Sequence, residues 1–230
     1  MATAVVVAVC AVFVSLGQWQ LRRHDERSLE NAVNANRIAS PPTELDVLLA
    51  GAGDDVVSLE YRPVRATGVF EAEGEIFVRS QVADERPGFH VVTPLRTNAG
   101  VVLVNRGWVP LAAEQPPVEE VPPPGGTVTV NGLTRLSQVR PSIGPEEPEG
   151  VLSIVSRMDL ERLDQQFDDL LPVWIQQSDD VVDPLPVRVP APATDDPGPH
   201  LPYAFQWYSF AVITAVGYGL LVRRALGGPK

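Results

Sequence analysis

The sequence has very little of the residue types that build disulfide frameworks, metal centres and nucleic-acid interfaces. It has one cysteine, Cys10, and three histidines in 230 residues. One cysteine excludes a disulfide within the chain, and the histidines lack the spacing of a zinc site. Cys10 lies in an apolar run, which predicts a core or lipid-facing thiol. Eighteen basic residues against 29 acidic ones leave no basic surface for phosphates, so nucleic acid is not an expected partner.

Motifs of the common enzyme classes are also missing. The chain contains no GxSxG, HExxH, P-loop or dinucleotide fingerprint. Its many acidic residues fall in loops and on helix faces, a pattern typical of a solvated surface. Hydrolytic chemistry needs a nucleophile beside a base, and nothing in the sequence marks such a pair. We therefore predict that the protein is not an enzyme and has no catalytic residues.

The sequence does have two long apolar runs, one at each end. The first covers residues 1–21, about 31 Å as a helix, close to the ~30 Å hydrocarbon core of a bilayer. A cleaved signal peptide is the alternative, but the basic n-region and the small-residue cleavage site are missing. Trp19 before Arg22 is instead typical of an interfacial anchor. We predict a retained transmembrane helix at 1–21 and a second, free of charge, at 201–222.

Charge is distributed unevenly along the chain. Residues 24–200 have 13 basic and 29 acidic residues, a net charge of −16, and the flanking segments carry +5. Basic residues follow the second span while Asp195 and Asp196 precede it, so the positive-inside rule predicts a cytoplasmic C-terminus. Arginines after the first span argue the other way, but the asymmetry around the second span is cleaner.

These signals predict the membrane layout. Both termini are expected in the cytoplasm, with residues 22–200 as an extracytoplasmic domain and 223–230 as a cytoplasmic tail. Seventeen arginines against a single lysine are typical of a GC-rich bacterial genome. We therefore expect a multi-pass protein of a bacterial cell membrane.

The residues between the spans predict a β-rich domain. Runs of β-type residues bounded by Gly, Pro, Asn or Asp recur at short intervals, which favours hairpins with a clear turn at 97–100. The predicted strands lie within 61–70, 75–81, 88–96, 101–109, 127–135 and 172–178.

Helical and Pro-rich segments complete the predicted domain. A polar helix is predicted to continue from the first span over 25–38, and an amphipathic helix is predicted over 157–167. Pro-rich loops are predicted at 110–126 and 141–150, and an extended connector at 183–199. The predicted fold class is an α+β membrane protein, with two transmembrane helices flanking a mainly antiparallel β extracytoplasmic domain that has one or two helices.

His200 stands at the outer end of the second span. If the helix includes this position, one face of it carries His200, Ala204, Trp207, Ala211 and Thr214. The small residues on this face allow close approach by another helix or by a flat ligand. Polar groups at membrane depth are candidates for function. The residues alone favour an interfacial anchor, with ligand binding as the alternative.

Three other residues of the central domain could have either a structural or a binding role. His90, in a predicted strand, is interpreted as a structural or surface histidine. Arg79 and Arg106 also lie in strands, where arginines at a sheet surface are the expected case. The alternative is a pair of donors for a partner carboxylate, because a guanidinium suits bidentate contacts.

Five segments, in order, resemble the Surfeit-locus-one family of cytochrome c oxidase assembly factors. They are 16-LGQWQLRR-23, 61-YRPVRATGVF-70, 88-GFHVVTPL-95, 102-VLVNRGWVP-110 and 200-HLPYAFQWYSFA-211. The resemblance implies a two-span membrane protein that acts without catalysis in the biogenesis of haem–copper oxidase. It also implies delivery or positioning of haem a for oxidase subunit I, with subunit I, other assembly factors and the lipid bilayer as partners.

The resemblance extends to individual residues. A histidine of the second-span motif, here His200, is implied as a ligand of haem iron, and a neutral imidazole is suited to that role. Trp207 and Tyr203 would be walls of the haem pocket, and Gln206 would hydrogen-bond a polar haem substituent or a partner helix. The main alternative is a haem-free scaffold that docks oxidase intermediates. A third, an extracytoplasmic binding domain for an acid-tolerant partner or a cation, rests only on the acidic middle of the chain.

Overall fold

The computed structural model describes residues 1–138, 147–179 and 185–227. Parts of the predicted loop at 141–150, of the connector at 183–199 and of the tail at 223–230 therefore lie outside the described residues. The chain divides into two compact units. One comprises Met1–Ala35 with Ala193–Lys230, and the other comprises Asn36–Pro192.

The first unit consists of two long helices. Helix α1 spans Ala2–Ile38 and helix α4 spans His200–Leu226. Their 37 and 27 residues correspond to about 56 Å and 40 Å. Both are long and apolar enough to cross a membrane, and only 6% of each apolar window is buried, unlike the core helix of a soluble protein. Helix α1 continues through 25–38, as predicted, and α4 begins at His200, one residue before the predicted second span, with Pro202 in its first turn.

The second unit is a barrel-like β-sheet with short helices. Its strands are β1 Thr43–Glu44, β2 Pro63–Phe70, β3 Ile76–Ala83, β4 Arg86–Thr97, β5 Gly100–Pro110, β6 Thr127–Leu136, β7 Ile154–Val155 and β8 Leu170–Gln177. Its helices are α2, Leu45–Ala52, and α3, Leu160–Leu163. The strand order is β1-β2-β6-β8-β5-β4-β3-β7, and an additional β2–β4 pairing closes the sheet on itself. Among the strands that the structure describes, five pairs are antiparallel, and three (β1–β2, β3–β7 and β5–β8) are parallel.

The β2–β4 closure depends on Gly68. Its backbone pairs with Thr97, and a Cβ at this position would lie 2.3 Å from the carbonyl oxygen of Arg96. Any larger residue would therefore push the two strands apart. The absence of a side chain lets β4 pair with β2 as well as with β3 and β5.

Apolar side chains pack on both surfaces of the sheet. One cluster combines Leu45 and Leu59 with residues of strands β2, β4, β5, β6 and β8, and Leu48 and Leu49 of α2 pack against it. A second cluster joins residues of β3, β4, β5 and β8 to the segment around α3. The short helices are thus held by burial of their leucines rather than by their length.

The pairings between strands that are neighbours in sequence match the prediction better than the others. The β3–β4 and β4–β5 hairpins form, the latter with the turn at 97–100 as predicted. Strand β2, however, pairs with β6 and β4 instead of β3, and β8 runs parallel to β5. The sheet is therefore mainly antiparallel, as expected, but its order departs from a series of hairpins.

The helices of the β unit differ from the sequence prediction in two places. The helix predicted over 157–167 is confined to α3, which Asp159 caps by accepting a hydrogen bond from the Arg162 amide at 3.3 Å. Beyond α3, Gln166 Oε1 accepts from the Leu152 amide at 2.9 Å and Gln166 Nε2 donates to the Leu152 carbonyl oxygen at 3.1 Å. These contacts hold the residues after α3 as a loop. Helix α2 lies between the polar helix predicted over 25–38 and the first predicted strand, in a segment where no helix was predicted.

Candidate functional site in the helix pair

Helices α1 and α4 pack against each other in antiparallel fashion. Thr3 near the start of α1 lies 2.6 Å from the hydroxyl of Tyr218 near the end of α4. At the opposite end, Gln20 contacts His200, and between them Cys10 Sγ lies 3.6 Å from the carbonyl oxygen of Ala211. On α1 the contacting residues Cys10, Phe13, Gly17 and Gln20 follow each other at intervals of three and four, the spacing typical of left-handed helix pairs.

Small and aromatic residues fill the middle of this interface. Ala204 and Ala211 are only 2% and 8% exposed, which confirms the predicted face of α4. The ring of Phe13 stacks on Trp207 with centroids 5.8 Å apart and planes inclined by 28°. Phe210 meets the edge of Trp207 at the same distance. Of the two occupants expected for this face, a helix or a flat ligand, the structure places helix α1 there.

The end of the pair that contains Gln20 and His200 is polar. Nδ1 of His200 lies 2.9 Å from Oε1 of Gln20, across 180 residues of sequence, and both side chains are half-buried. One turn further along α1, His24 has a buried Nδ1 without a hydrogen-bond partner within the described chain. His24 thus lies one helical turn beyond the Gln20–His200 hydrogen bond, at the same end of α1.

The structure separates the predicted site residues into two groups. His200 and Trp207 lie on the face toward α1. Tyr203 is 49% exposed, and Gln206 is also exposed, on the flank of α4 that α1 leaves uncovered. Tyr203 is nevertheless one turn from His200 on the helix, so it borders the same end of the pair.

Gln20 is a site residue that the sequence analysis missed. It belongs to the segment 16-LGQWQLRR-23, where it was treated only as part of a motif. The available signal was its spacing, because Phe13, Gly17 and Gln20 follow each other at intervals of four and three. That spacing places the amide on the same helix face as the residues that pack against α4.

The other candidates in the β unit are engaged in structural contacts. Asn105 Nδ2 lies 3.2 Å from Nδ1 of His90, and burial lowers the pKa of His90 to about 4, so this imidazole is neutral at physiological pH. Arg106 is buried and donates to Glu75 and to the carbonyl oxygen of Val121. It is therefore not a donor for a partner carboxylate.

Arg79 donates to Ser156 Oγ, at 2.6 and 3.1 Å. The two arginines thus do not form a shared donor site. Among the described residues, no group of three or more His, Cys, Asp or Glu side chains is arranged to hold a metal ion.

Known proteins resemble this chain over both helices and the β unit. A SURF1-like protein of Mycobacterium bovis is 28% identical over 225 residues, 95% of this chain and 81% of the relative. A SURF1-like protein of Monosiga brevicollis is 28% identical over 95% of this chain and 86% of its own length. Surfeit locus protein 1 of Homo sapiens is 30% identical over 148 residues, 57% of this chain and 48% of the human protein. The SURF1 family pattern matches residues 7–212, from within α1 to within α4, and the chain therefore belongs to the SURF1 family.

Proposed function

We propose that this protein is a non-catalytic assembly factor for haem–copper cytochrome c oxidase. It binds or positions haem a as cargo for insertion into subunit I, and it works with other oxidase assembly factors. The two apolar helices anchor it in a bacterial cell membrane, with both termini in the cytoplasm and the central domain outside. Membership of the SURF1 family and the motif around His200 support this proposal.

The observation that carries the cargo role is the hydrogen bond between His200 and Gln20. Nδ1 of His200 is engaged by Gln20, so Nε2 is the nitrogen left to bind iron. A neutral imidazole nitrogen is a competent axial ligand of haem iron. The donor chemistry at the mouth of the helix pair therefore fits a haem.

The surrounding residues have distinct proposed roles. Trp207 is stacked on Phe13 and keeps α4 in place beneath His200. Tyr203 and Gln206 are exposed beside it and are available to the edge of a macrocycle or to a helix of subunit I. Gln206 offers both an amide donor and an acceptor in a mainly apolar setting, where such groups contribute to helix association.

A haem-free scaffold is the second candidate. The face of α4 that would suit a flat ligand is packed against α1, while the outward face exposes large apolar side chains. Phe205 is 76% and Ile213 is 66% exposed. On this alternative, the outward face docks subunit I in the bilayer and no haem is bound.

Spectroscopy and genetics together test both candidates. Deletion of the gene should lower the haem a content and activity of the oxidase, and a normal oxidase spectrum in the deletion strain would refute both candidates. Protein purified from cells that make haem a should show a Soret band that His200→Ala weakens. Phe205→Ala, at an exposed position of the same helix, is the matched control and should keep the band. Co-purification with subunit I without haem would favour the scaffold.

A further inference from the structure

We infer that Gln20 is a positioning residue for His200: it holds the imidazole in the tautomer with the proton on Nδ1 and thereby leaves the lone pair of Nε2 for a ligand iron. The ligand part of this inference rests on the proposed haem role. The hydrogen bond and the tautomer do not, because they are properties of the protein without cargo.

The direction of the hydrogen bond follows from the atoms involved. The Gln20 atom that faces the imidazole is Oε1, 2.9 Å from Nδ1 of His200. An amide oxygen accepts hydrogen bonds and never donates them, so Nδ1 must carry the proton. In a neutral imidazole the other nitrogen, Nε2, is then unprotonated, and only an unprotonated nitrogen binds a metal.

The position of Gln20 is set by the packing of α1. Gly17, three residues earlier, is buried against the ring of Tyr208, and Phe13 is stacked on Trp207. These contacts fix the rotation of α1 about its axis, so Gln20 faces α4 and not the lipid. Gln18 has the same side chain but is exposed, because it lies two residues away and on a different face.

This arrangement matches the way proteins prepare histidine ligands. A metal-binding imidazole usually donates its other N–H to an oxygen, and loss of that acceptor costs about 10–100-fold in metal affinity. Gln20 is thus the residue of 16-LGQWQLRR-23 that links the first span to the function of the second.

The first test reads the tautomer directly, without haem. Full-length protein labelled with ¹⁵N-histidine in lipid nanodiscs gives long-range ¹H–¹⁵N correlations that identify the protonated nitrogen of each imidazole. We expect Nδ1–H for His200 in the wild type and in Gln18→Leu. Gln20→Leu should shift His200 toward the Nε2–H form, and Gln20→Glu, which keeps an acceptor, should retain Nδ1–H.

The second test titrates the same four proteins and His200→Ala with haemin and follows the Soret band. Gln20→Leu should weaken haemin binding by about 10–100-fold, while Gln18→Leu and Gln20→Glu should bind like the wild type. Unchanged affinity in Gln20→Leu, with His200→Ala still impaired, would overturn the inference and leave the proposed function intact. An Nε2–H wild-type His200 would also overturn it.

The remaining outcomes separate the inference from the proposed function. A wild type that has the Nδ1–H tautomer but takes up no haemin would refute the haem role while supporting Gln20 as the residue that sets the tautomer. If Gln20→Leu does not fold, the wild-type tautomer and the haemin affinity of Gln20→Glu decide the question.

Discussion

Gly17 of helix α1 lies directly under the aromatic ring of Tyr208 in helix α4. A Cβ at Gly17 would stand 2.8 Å from Cζ of that ring, closer than side chains approach one another. Glycine at this position therefore allows the ring to rest on the backbone of α1. This contact sets the separation of the two helices one turn below the His200–Gln20 hydrogen bond, so the geometry of the polar end depends on it.

The pairing of the helices predicts a specific disulfide. Because Cys10 Sγ lies 3.6 Å from the carbonyl oxygen of Ala211, a cysteine introduced by Ala211→Cys should be within bonding range of Cys10. Mild oxidation of the protein in detergent should give an intramolecular disulfide, detected by mass spectrometry of peptides. Val212→Cys, at a 60% exposed neighbouring position, is the control and should remain unlinked within the chain.

Substitution of Gly17 should loosen this pair. Gly17→Val must displace the Tyr208 ring, and overpacking of this kind costs about 1–3 kcal/mol. In the Ala211→Cys background, the equilibrium constant for the disulfide with Cys10 in a glutathione buffer should fall accordingly. Gly217→Val tests the same change in open space and should leave the constant unchanged. Equal effects of both substitutions would contradict the packing role of Gly17.

The ion pair inside the β unit should be far more important for stability than those on its surface. Glu75 and Arg106 have side-chain exposures of 0% and 5%, and Glu75 also accepts from Thr93 and from the Val118 amide. Removal of one partner leaves a buried charge without compensation, so Arg106→Met should destabilise the unit by about 3–5 kcal/mol.

An exposed pair provides the comparison for that prediction. Arg65 lies 3.6 Å from Glu44 with both side chains about half exposed, and Arg65→Met should cost less than about 1 kcal/mol. Urea unfolding of the full-length protein in detergent, followed by fluorescence of the buried Trp108 and Trp174, measures both. A loss of unfolding free energy below about 1 kcal/mol in Arg106→Met would contradict this prediction.

His90 should make the stability of the β unit depend on pH. Its pKa in the folded protein is about 4 because burial disfavours the charged form, whereas an unfolded histidine titrates near 6.5. Below pH 6.5 the unfolded chain therefore binds a proton that the folded protein does not. The contribution of His90 to the free energy of unfolding is fully present above pH 6.5 and is lost toward pH 4, by roughly 3 kcal/mol in total.

A variant isolates this contribution from that of the carboxylates. Urea midpoints of the wild type and of His90→Asn are compared between pH 7 and pH 4. The difference in unfolding free energy between the two proteins should change across this window by the amount expected for one proton. Parallel pH profiles would show that His90 is not the group responsible.

Local sequence patterns were sufficient to predict the two long helices. The charge-free runs predicted the two long helices, and the spacing of Ala204 and Ala211 predicted the face that α4 would bury if the helix included His200. These predictions succeeded because helix periodicity and capping depend on residues a few positions apart.

The order of the β-sheet was not accessible in the same way. The β3–β4 and β4–β5 hairpins join neighbouring strands, and turn residues signal them. The pairing of β2 with β6 and the parallel pairing of β5 with β8 join segments far apart in sequence. Which partners meet is decided by the packing of the whole barrel, and by one residue, Gly68, that permits the closure.

For the candidate site, the sequence alone determined that His200 stands at the end of an apolar helix with small residues and an indole beneath it. Only the tertiary structure decided what covers that face and which group engages the imidazole. Helix α1 fills the face, and Gln20, 180 residues earlier, binds Nδ1. The physical reason is that a hydrogen bond between two helices depends on their relative rotation and separation, which Gly17 and Tyr208 set through contacts that no local pattern encodes.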